Sequence, residues 1–158
     1  MRFRRLTFDE LQALENELKQ FLVVNQVYAE EWAEMNKAQP EKAQKLVDAF
    51  SDLVLEKVYS KIEVLVISRP QHLTLLHFEN GKAQRIDIQS KGKELSADWN
   101  ELIQNLMESP THFDVFYGTK NFNQNHADFV FEFIRQGAEK IDIGVWHDFY
   151  KLLANNKK

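Results

Sequence analysis

The dipeptide Asn80-Gly81 constrains the fold more than any other feature of this sequence. Asparagine and glycine both tolerate the positive φ angles of a two-residue type I′ turn, and that turn joins two antiparallel strands in a single register. Counting outward from the turn gives the cross-strand pairs Glu79 with Lys82, Leu75 with Ile86, Thr74 with Asp87, Leu73 with Ile88, and His72 with Gln89. The sequence therefore predicts a β-hairpin with defined partners.

This register separates the two faces of the hairpin. Leucines and isoleucines occupy one face, and the polar residues His72, Thr74, Arg85 and Asp87 lie on the other. An antiparallel sheet with helices on one face and water on the other produces this separation. We therefore expect Leu75→Ala to cost about 2–5 kcal/mol of stability, and Thr74→Ala to cost within about 0.5 kcal/mol.

The segment before the hairpin is predicted to be a helix that runs directly into a strand. After Pro40, apolar residues recur at spacings of three and four up to about Ser60, which stacks them on one helix face. They are Ala43, Leu46, Val47, Phe50, Leu53, Val54 and Val58. Residues 62–67 are mainly β-branched or apolar and lack glycine and proline, which is typical of a strand. With the hairpin, this strand makes a three-stranded antiparallel meander.

Two further helices are predicted near the N-terminus. Thr7 followed by Glu10 matches a capping box, so a helix should begin there and end at Asn25. Its expected buried stripe consists of Leu11, Leu14, Leu18, Phe21 and Leu22. A short second helix should follow, since Tyr28, Trp32 and Met35 have helical spacing.

After the hairpin, residues 89–95 are polar and contain Gly92, so we expect a loop. Asp98 with Glu101 should open a helix, which the Ser109-Pro110 pair ends. Residues 113–117 are a candidate fourth strand.

The segment 126–135 fits two structures. Its phenylalanines at positions 129, 131 and 133 alternate as in a strand, whereas other apolar positions match a helix. The asparagines before it and Gly137 after it favour the helix, because they provide a cap and a stop. A last helix should carry Trp146, Phe149, Tyr150 and Leu153, and residues 155–158 should fray.

Length and composition bound the class of protein. A chain of 158 residues is typical of one domain, spanning 1–158. The formal net charge of −4 disfavours nucleic-acid binding through a broad basic surface. The absence of cysteine excludes disulfides and thiolate metal sites and fits a reducing cytoplasm. The apolar runs are too short for a signal peptide or a membrane span, so we expect a cytoplasmic protein with no membrane partner.

No motif predicts catalysis or a bound cofactor. Among the five histidines, only His126 with Asp128, and Asp142 with His147 and Asp148, approach a ligand cluster. Neither has the H-E-x-x-H spacing, so we expect no bound metal. No G-x-S-x-G elbow is present, and the residues 118–120 lack the glycine spacing of a phosphate loop.

Two clusters remain as candidate binding sites. Arg2, Arg4 and Arg5 flank Phe3, a combination that can hold phosphate or stack on bases, although pairing with nearby carboxylates is the favoured interpretation. The other candidate is the polar hairpin face of His72, Thr74, Arg85 and Asp87, for which an ordinary wet sheet face is the favoured interpretation.

Three sets of residues resemble an uncharacterised family. They are Arg4-Arg5-Leu6-Thr7 with Glu10-Leu11, Phe50-Ser51-Asp52 with Val54, and Gly137-Ala138 ahead of an aromatic helix. The family comprises small proteins of about this length from Bacteroidetes-type bacteria, filed as a domain of unknown function. The resemblance covers nearly the whole chain and implies a bacterial cytoplasmic origin. It implies no activity, substrate or site residue.

The sequence thus predicts an α+β domain with helices on one face of a small antiparallel sheet of three or four strands. The leading functional hypothesis is a small, non-catalytic cytoplasmic binding module that binds a protein or a small molecule, either as a monomer or as a homo-oligomer. The alternative is an enzyme or a nucleic-acid-directed protein that uses the polar hairpin face or the N-terminal arginines. A flat apolar patch would favour the module, and a deep pocket with convergent histidines and carboxylates would favour the enzyme.

Overall fold

The computed structural model describes residues 1–156, and the chain divides into two compact units, Met1–Tyr59 and the remainder from Ser60 onward. Together they form an α+β protein with one antiparallel sheet. Among residues 1–156, none of the helices combines the length and apolarity that a membrane crossing needs.

The first unit is helical. Its elements are α1 (Phe8–Ala13), α2 (Glu15–Val24), α3 (Ala29–Ala38) and α4 (Pro40–Ser60). The capping box is confirmed, because Thr7 accepts the amide of Glu10 and the Glu10 carboxylate accepts the amide of Thr7. The prediction of a single helix up to Asn25 is wrong, since the helix is interrupted at Leu14. The Leu14 amide is shared between the carbonyls of Glu10 and Leu11, which tightens the turn there.

The buried face of α4 differs from the predicted stripe. Ala43 and Phe50 are buried as expected, but Leu53 and Val58 are about half exposed. Leu55 and Tyr59 lie on the buried face instead, as does Ser51, whose hydroxyl accepts the Leu6 amide and donates to the carbonyl of Val47. Because the hydroxyl both accepts and donates a hydrogen bond, this serine can be buried without an unsatisfied polar atom.

The second unit contains a five-stranded antiparallel sheet in the order β4-β3-β2-β1-β5. The strands are β1 (Val64–Ser68), β2 (His72–Glu79), β3 (Lys82–Ser90), β4 (Phe113–Asn121) and β5 (Glu139–Lys140). Asn80 and Gly81 have φ angles of 50° and 74°, and every predicted β2–β3 pair is confirmed. The expected three or four strands are an undercount. The two residues of β5 are too few to show a periodicity in the sequence.

One sheet face carries the predicted apolar core. Helices α5 (Trp99–Glu108) and α7 (Ile143–Asn156) pack on it, and a short 3₁₀ helix (Pro110–His112) leads from α5 into β4. Leu75 and Ile86 lie at the centre of this core, against Leu102, Trp146 and Phe149.

The C-terminal residues 155 and 156, which the sequence predicts to fray, belong to α7. The other two residues of that prediction, 157 and 158, lie outside the described residues.

The opposite face is not simply wet, which corrects the prediction of helices on one face only. The segment 126–135 is helical, forming α6 (His126–Ile134), and its rings at His126, Phe129 and Phe133 contact Phe78 on this second face. Leu65 and Leu76 are buried on the same face. The polar residues of the hairpin therefore occupy only part of this face.

Candidate functional site

The structure brings the four predicted hairpin residues together around one carboxylate. Asp87 Oδ1 accepts hydrogen bonds from Thr74 Oγ1 at 2.7 Å and from His72 Nε2 at 2.9 Å. Asp87 Oδ2 accepts Nε of Arg85 at 2.6 Å, and a second Arg85 nitrogen lies 3.2 Å from Oδ1. These contacts follow from the turn, which sets Thr74 opposite Asp87 and places the neighbouring pairs within reach.

The hydrogen bonds keep Asp87 ionised. Burial raises the pKa of this carboxyl. The hydrogen bonds from Arg85, Thr74 and His72 and the charge of Arg85 together lower the pKa by more than burial raises it, so the pKa lies below its ordinary value. A carboxylate that accepts three side chains and has a depressed pKa is a poor general base. The cluster is built to hold Asp87 in place.

Thr74 is 4% exposed, so the expectation that it faces water is wrong. The exposed members of the cluster are Arg85 and, in part, His72. A ligand would therefore meet mainly the Arg85 guanidinium, which is already committed to Asp87 through two nitrogens.

The N-terminal arginines are paired with carboxylates, as the favoured interpretation predicted. Arg2 pairs with Glu56, Arg4 binds both oxygens of Glu10 at 2.8 Å, and Arg5 binds Asp48 at 2.6 Å and 3.0 Å.

These pairs shift the acidic partners. The Arg4 side chain, followed by the Thr7 amide, lowers the pKa of Glu10 to about 2, and Arg5 lowers the pKa of Asp48. The pairs connect the start of the chain to α1 and α4, so each arginine of the cluster already has a carboxylate partner.

The candidate histidine clusters do not assemble into a ligand set. His126 donates to the carbonyl of Ile62 at 2.8 Å and packs against phenylalanine rings. Asp142 accepts the amide of Gly144 at 2.7 Å, as a helix-start contact. Within residues 1–156, no three histidine or carboxylate side chains are grouped so that they could hold a metal ion.

A groove of about 800 Å³ lies between the loop after β3 and the helix α5. Polar side chains line much of it, including Ser96, Asn105 and His112. The loop is anchored at several points, among them a hydrogen bond of 2.5 Å from Gln71 to the Gly92 carbonyl and one of 2.7 Å from the Leu95 amide to Pro70. The sequence predicts the loop but not the groove, because the space between the loop and α5 depends on how α5 packs on the sheet.

The edge strand β4 of the second unit is largely exposed. All of its residues except Phe113 are exposed, and Phe116 is 63% exposed. Val115 and Tyr117 are also accessible on the other sheet face. The sequence predicts the first half of this strand but not its full length or its open side, since a strand exposed on both faces lacks the alternation that reveals strands.

Comparison with curated proteins and with solved structures found no match. The model of DUF6495, a family of unknown function, matches residues 1–154, which is almost the whole chain. The chain therefore belongs to the DUF6495 family.

Proposed function

We propose that this protein is a non-catalytic interaction module that binds a β-strand of a protein partner along the open edge of β4. The observation that carries the proposal is the nine-residue strand itself, which pairs with β3 on one side and, in the described part of the chain, with no strand on the other. Addition of a strand to an exposed sheet edge is a common mode of protein recognition.

The backbone of β4 shows which groups point outward. The Lys91 amide donates to the His112 carbonyl and the Phe122 amide donates to the Gly81 carbonyl, both at 2.9 Å. Along an antiparallel strand, alternate residues bond to the same neighbour, so the even-numbered residues of β4 face β3. The N–H and C=O groups of odd-numbered residues such as Val115 and Thr119 therefore point to the open side.

Natural edge strands are usually protected by proline, by a bulge, by charged side chains or by being short, and the charges of β4 lie only toward its two ends, at Asp114 and Lys120. Strand β4 contains no proline, and its register with β3 runs without a bulge from Ser90↔Phe113 to Lys82↔Asn121. It also exposes Val115, Phe116 and Tyr117, whose rings and methyl groups would be covered by a bound strand. An edge that is both regular and partly apolar favours a binding role.

The alternative hypothesis of an enzyme or a nucleic-acid-directed protein has weaker support. Asp87 is held by three side chains, and the N-terminal arginines are committed to carboxylates. The contacts within the protein thus give a structural role to the charged residues of both candidate sites.

The test is site-specific photo-crosslinking in the organism that encodes the protein. A photoreactive phenylalanine analogue at Phe116 should form a protein adduct, whereas the same analogue at Phe8, a phenylalanine on α1 that is 74% exposed, should not. Thr119→Pro removes an outward-facing N–H and should abolish the adduct, while Thr119→Ala should retain it.

Circular dichroism verifies that the proline variant folds. Equal crosslinking at Phe8 and Phe116, or an adduct that survives Thr119→Pro in the folded protein, would contradict the proposal.

The groove beside α5 favours a second candidate function, the binding of a small polar molecule. Its volume of about 800 Å³ lies within the range of roughly 300–1,000 Å³ that is usual for ligand sites. A thermal-shift screen of polar metabolites should find a stabilising compound, and Asn105→Trp, which fills the groove, should remove that shift. Retention of the full shift in a folded Asn105→Trp variant would place the ligand elsewhere.

We infer a bacterial cytoplasmic setting. The absence of cysteine fits a reducing compartment, and the resemblance to proteins of Bacteroidetes-type bacteria supports this origin.

A further inference from the structure

We infer that the strand bound by β4 is β4 of a second copy of this chain, in an antiparallel pair that joins two sheets across a two-fold axis. This inference rests on the proposed function and names its partner. A two-fold interface brings the same surface of both copies together, so the surface must be complementary to itself. The sequence of β4 meets that requirement in one register.

The register places position 117, the middle of the nine-residue strand, opposite itself. Asp114 of one copy then lies opposite Lys120 of the other, and the symmetry creates the same pair a second time. A shift by two residues in either direction sets Asp114 against Gly118 or Phe122 and loses both charge pairs. A shift by one residue places the outward-facing backbone groups of one copy opposite groups of the other copy that face its own β3. That arrangement cannot form the hydrogen-bond ladder.

The geometry of the ladder brings the charged side chains close together. Asp114 and Lys120 are even-numbered, so their backbone groups bond to β3 and they form non-hydrogen-bonded pairs across the new interface. Side chains approach each other most closely at such pairs, and opposite charges there are favourable. Asp114 also has an exposed contact of 3.3 Å with Lys91 of its own chain, which a second cation can share.

The uncharged positions are also complementary. Phe116 lies opposite Gly118 of the second copy, and a side chain built at Gly118 would meet no atom within 4 Å. The exposed Phe116 ring can therefore cover the bare glycine backbone, as aromatic residues do beside strand glycines.

The central ring is already positioned. The Tyr117 hydroxyl accepts the Gln84 side-chain amide at 3.0 Å, and Gln84 in turn accepts the ring N–H of His77 at 2.8 Å. Tyr150 packs beside Tyr117 with the ring centroids 6.0 Å apart. A ring held by such contacts loses little conformational freedom when an interface forms over it.

Charge reversal tests the register. Asp114→Lys alone places two lysines opposite each other twice, and Lys120→Asp alone does the same with two aspartates. Each variant should weaken the dimer by at least about tenfold in Kd, measured by sedimentation equilibrium. An equimolar mixture of the two variants should recover the wild-type affinity, because every reversed residue then faces its opposite charge. Lys91→Ala, the matched control, removes only the contact within one chain and should leave the dimer intact.

Several outcomes would overturn the inference. They are a wild-type chain that sediments as a monomer at concentrations up to the millimolar range, a dimer that is unaffected by either reversal, and a mixture that stays monomeric.

The crosslinking experiment separates failure of the dimer inference from failure of the proposed function. An adduct at Phe116 with a different protein retains the module and overturns the dimer, whereas no adduct and no dimer overturns both.

Discussion

Thr74 has a buried hydroxyl that donates to the ionised Asp87 at 2.7 Å. Its replacement by alanine leaves the partly buried Asp87 carboxylate with one donor fewer, so we expect Thr74→Ala to cost about 1–3 kcal/mol rather than within 0.5 kcal/mol. Leu75→Ala, at a fully buried core position, should still cost about 2–5 kcal/mol. Urea denaturation of both variants measures the two values. A Thr74→Ala variant as stable as the wild type would mean that water replaces the lost donor.

Asp87 should make the stability depend on pH in the acid range. Its pKa in the folded protein lies below the ordinary value, so its contribution is present above the pKa of the unfolded chain and is lost as pH falls through the folded pKa. Asp87→Asn should therefore be destabilising at neutral pH and should lose less stability than the wild type between about pH 5 and pH 2. Denaturation series at several pH values provide the measurement, and parallel curves for the two proteins would contradict the expectation.

Glu10 has a large pKa shift without a large energetic role. The bidentate contact with Arg4 lowers the pKa of Glu10 to about 2, but both side chains are well exposed and solvent screens the pair. We expect Arg4→Ala to raise the pKa of Glu10 toward its ordinary value with little change in melting temperature. Carbon-detected NMR titration follows the carboxyl directly. An unchanged Glu10 pKa in Arg4→Ala would assign the shift to the Thr7 amide instead.

At the scale of elements, helix α5 shows how a local cap defines a boundary. Asp98 Oδ1 accepts the amide of Glu101 at 2.9 Å, and the helix begins at the next residue, Trp99. Removal of this cap by Asp98→Ala should cost about 0.5–2 kcal/mol, whereas Asp98→Asn keeps an acceptor oxygen and should cost much less. Thermal unfolding compares the two variants, and equal losses would assign the effect to charge rather than to the cap.

The strands depend more than the helices on their neighbours. Strand β4 extends to Asn121 because β3 offers it a continuous row of partners from Ser90 back to Lys82. Strand β5 exists only because Glu139 and Lys140 meet Val66 and Leu65 of β1. Both extents are set by pairing with segments that are distant in sequence.

For the whole molecule, the length still predicts one cooperative domain, although the chain divides into two compact units at Tyr59. Cooperative unfolding requires that the slowest-exchanging amides of both units report one free energy of opening. We expect the Leu55 amide in α4 and the Leu75 amide in β2 to converge to the same value in native-state hydrogen exchange with added denaturant. Two separate limiting values would show that the units are two domains.

The sequence by itself determined those features whose physical cause lies within a few residues. The positive φ angles of Asn80 and Gly81 specify the turn, and the turn specifies the register of the hairpin with all its pairs. Side-chain caps at Thr7 and Asp98 start their helices for the same local reason. The gathering of His72, Thr74 and Arg85 around Asp87 follows from that register as well.

Only the tertiary structure decided which surfaces are covered and which stay open. Thr74 is buried, and α6 packs on the face that the pattern predicted to be wet, because apolar residues at Leu76 and Phe78 attract distant partners to it. The groove beside α5 depends on how that helix packs on the sheet, and the edge position of β4 depends on which strands pair with one another. The burial of a residue depends on which distant segments pack against it. A local sequence pattern gives the identity of the residue but not the identity of those segments.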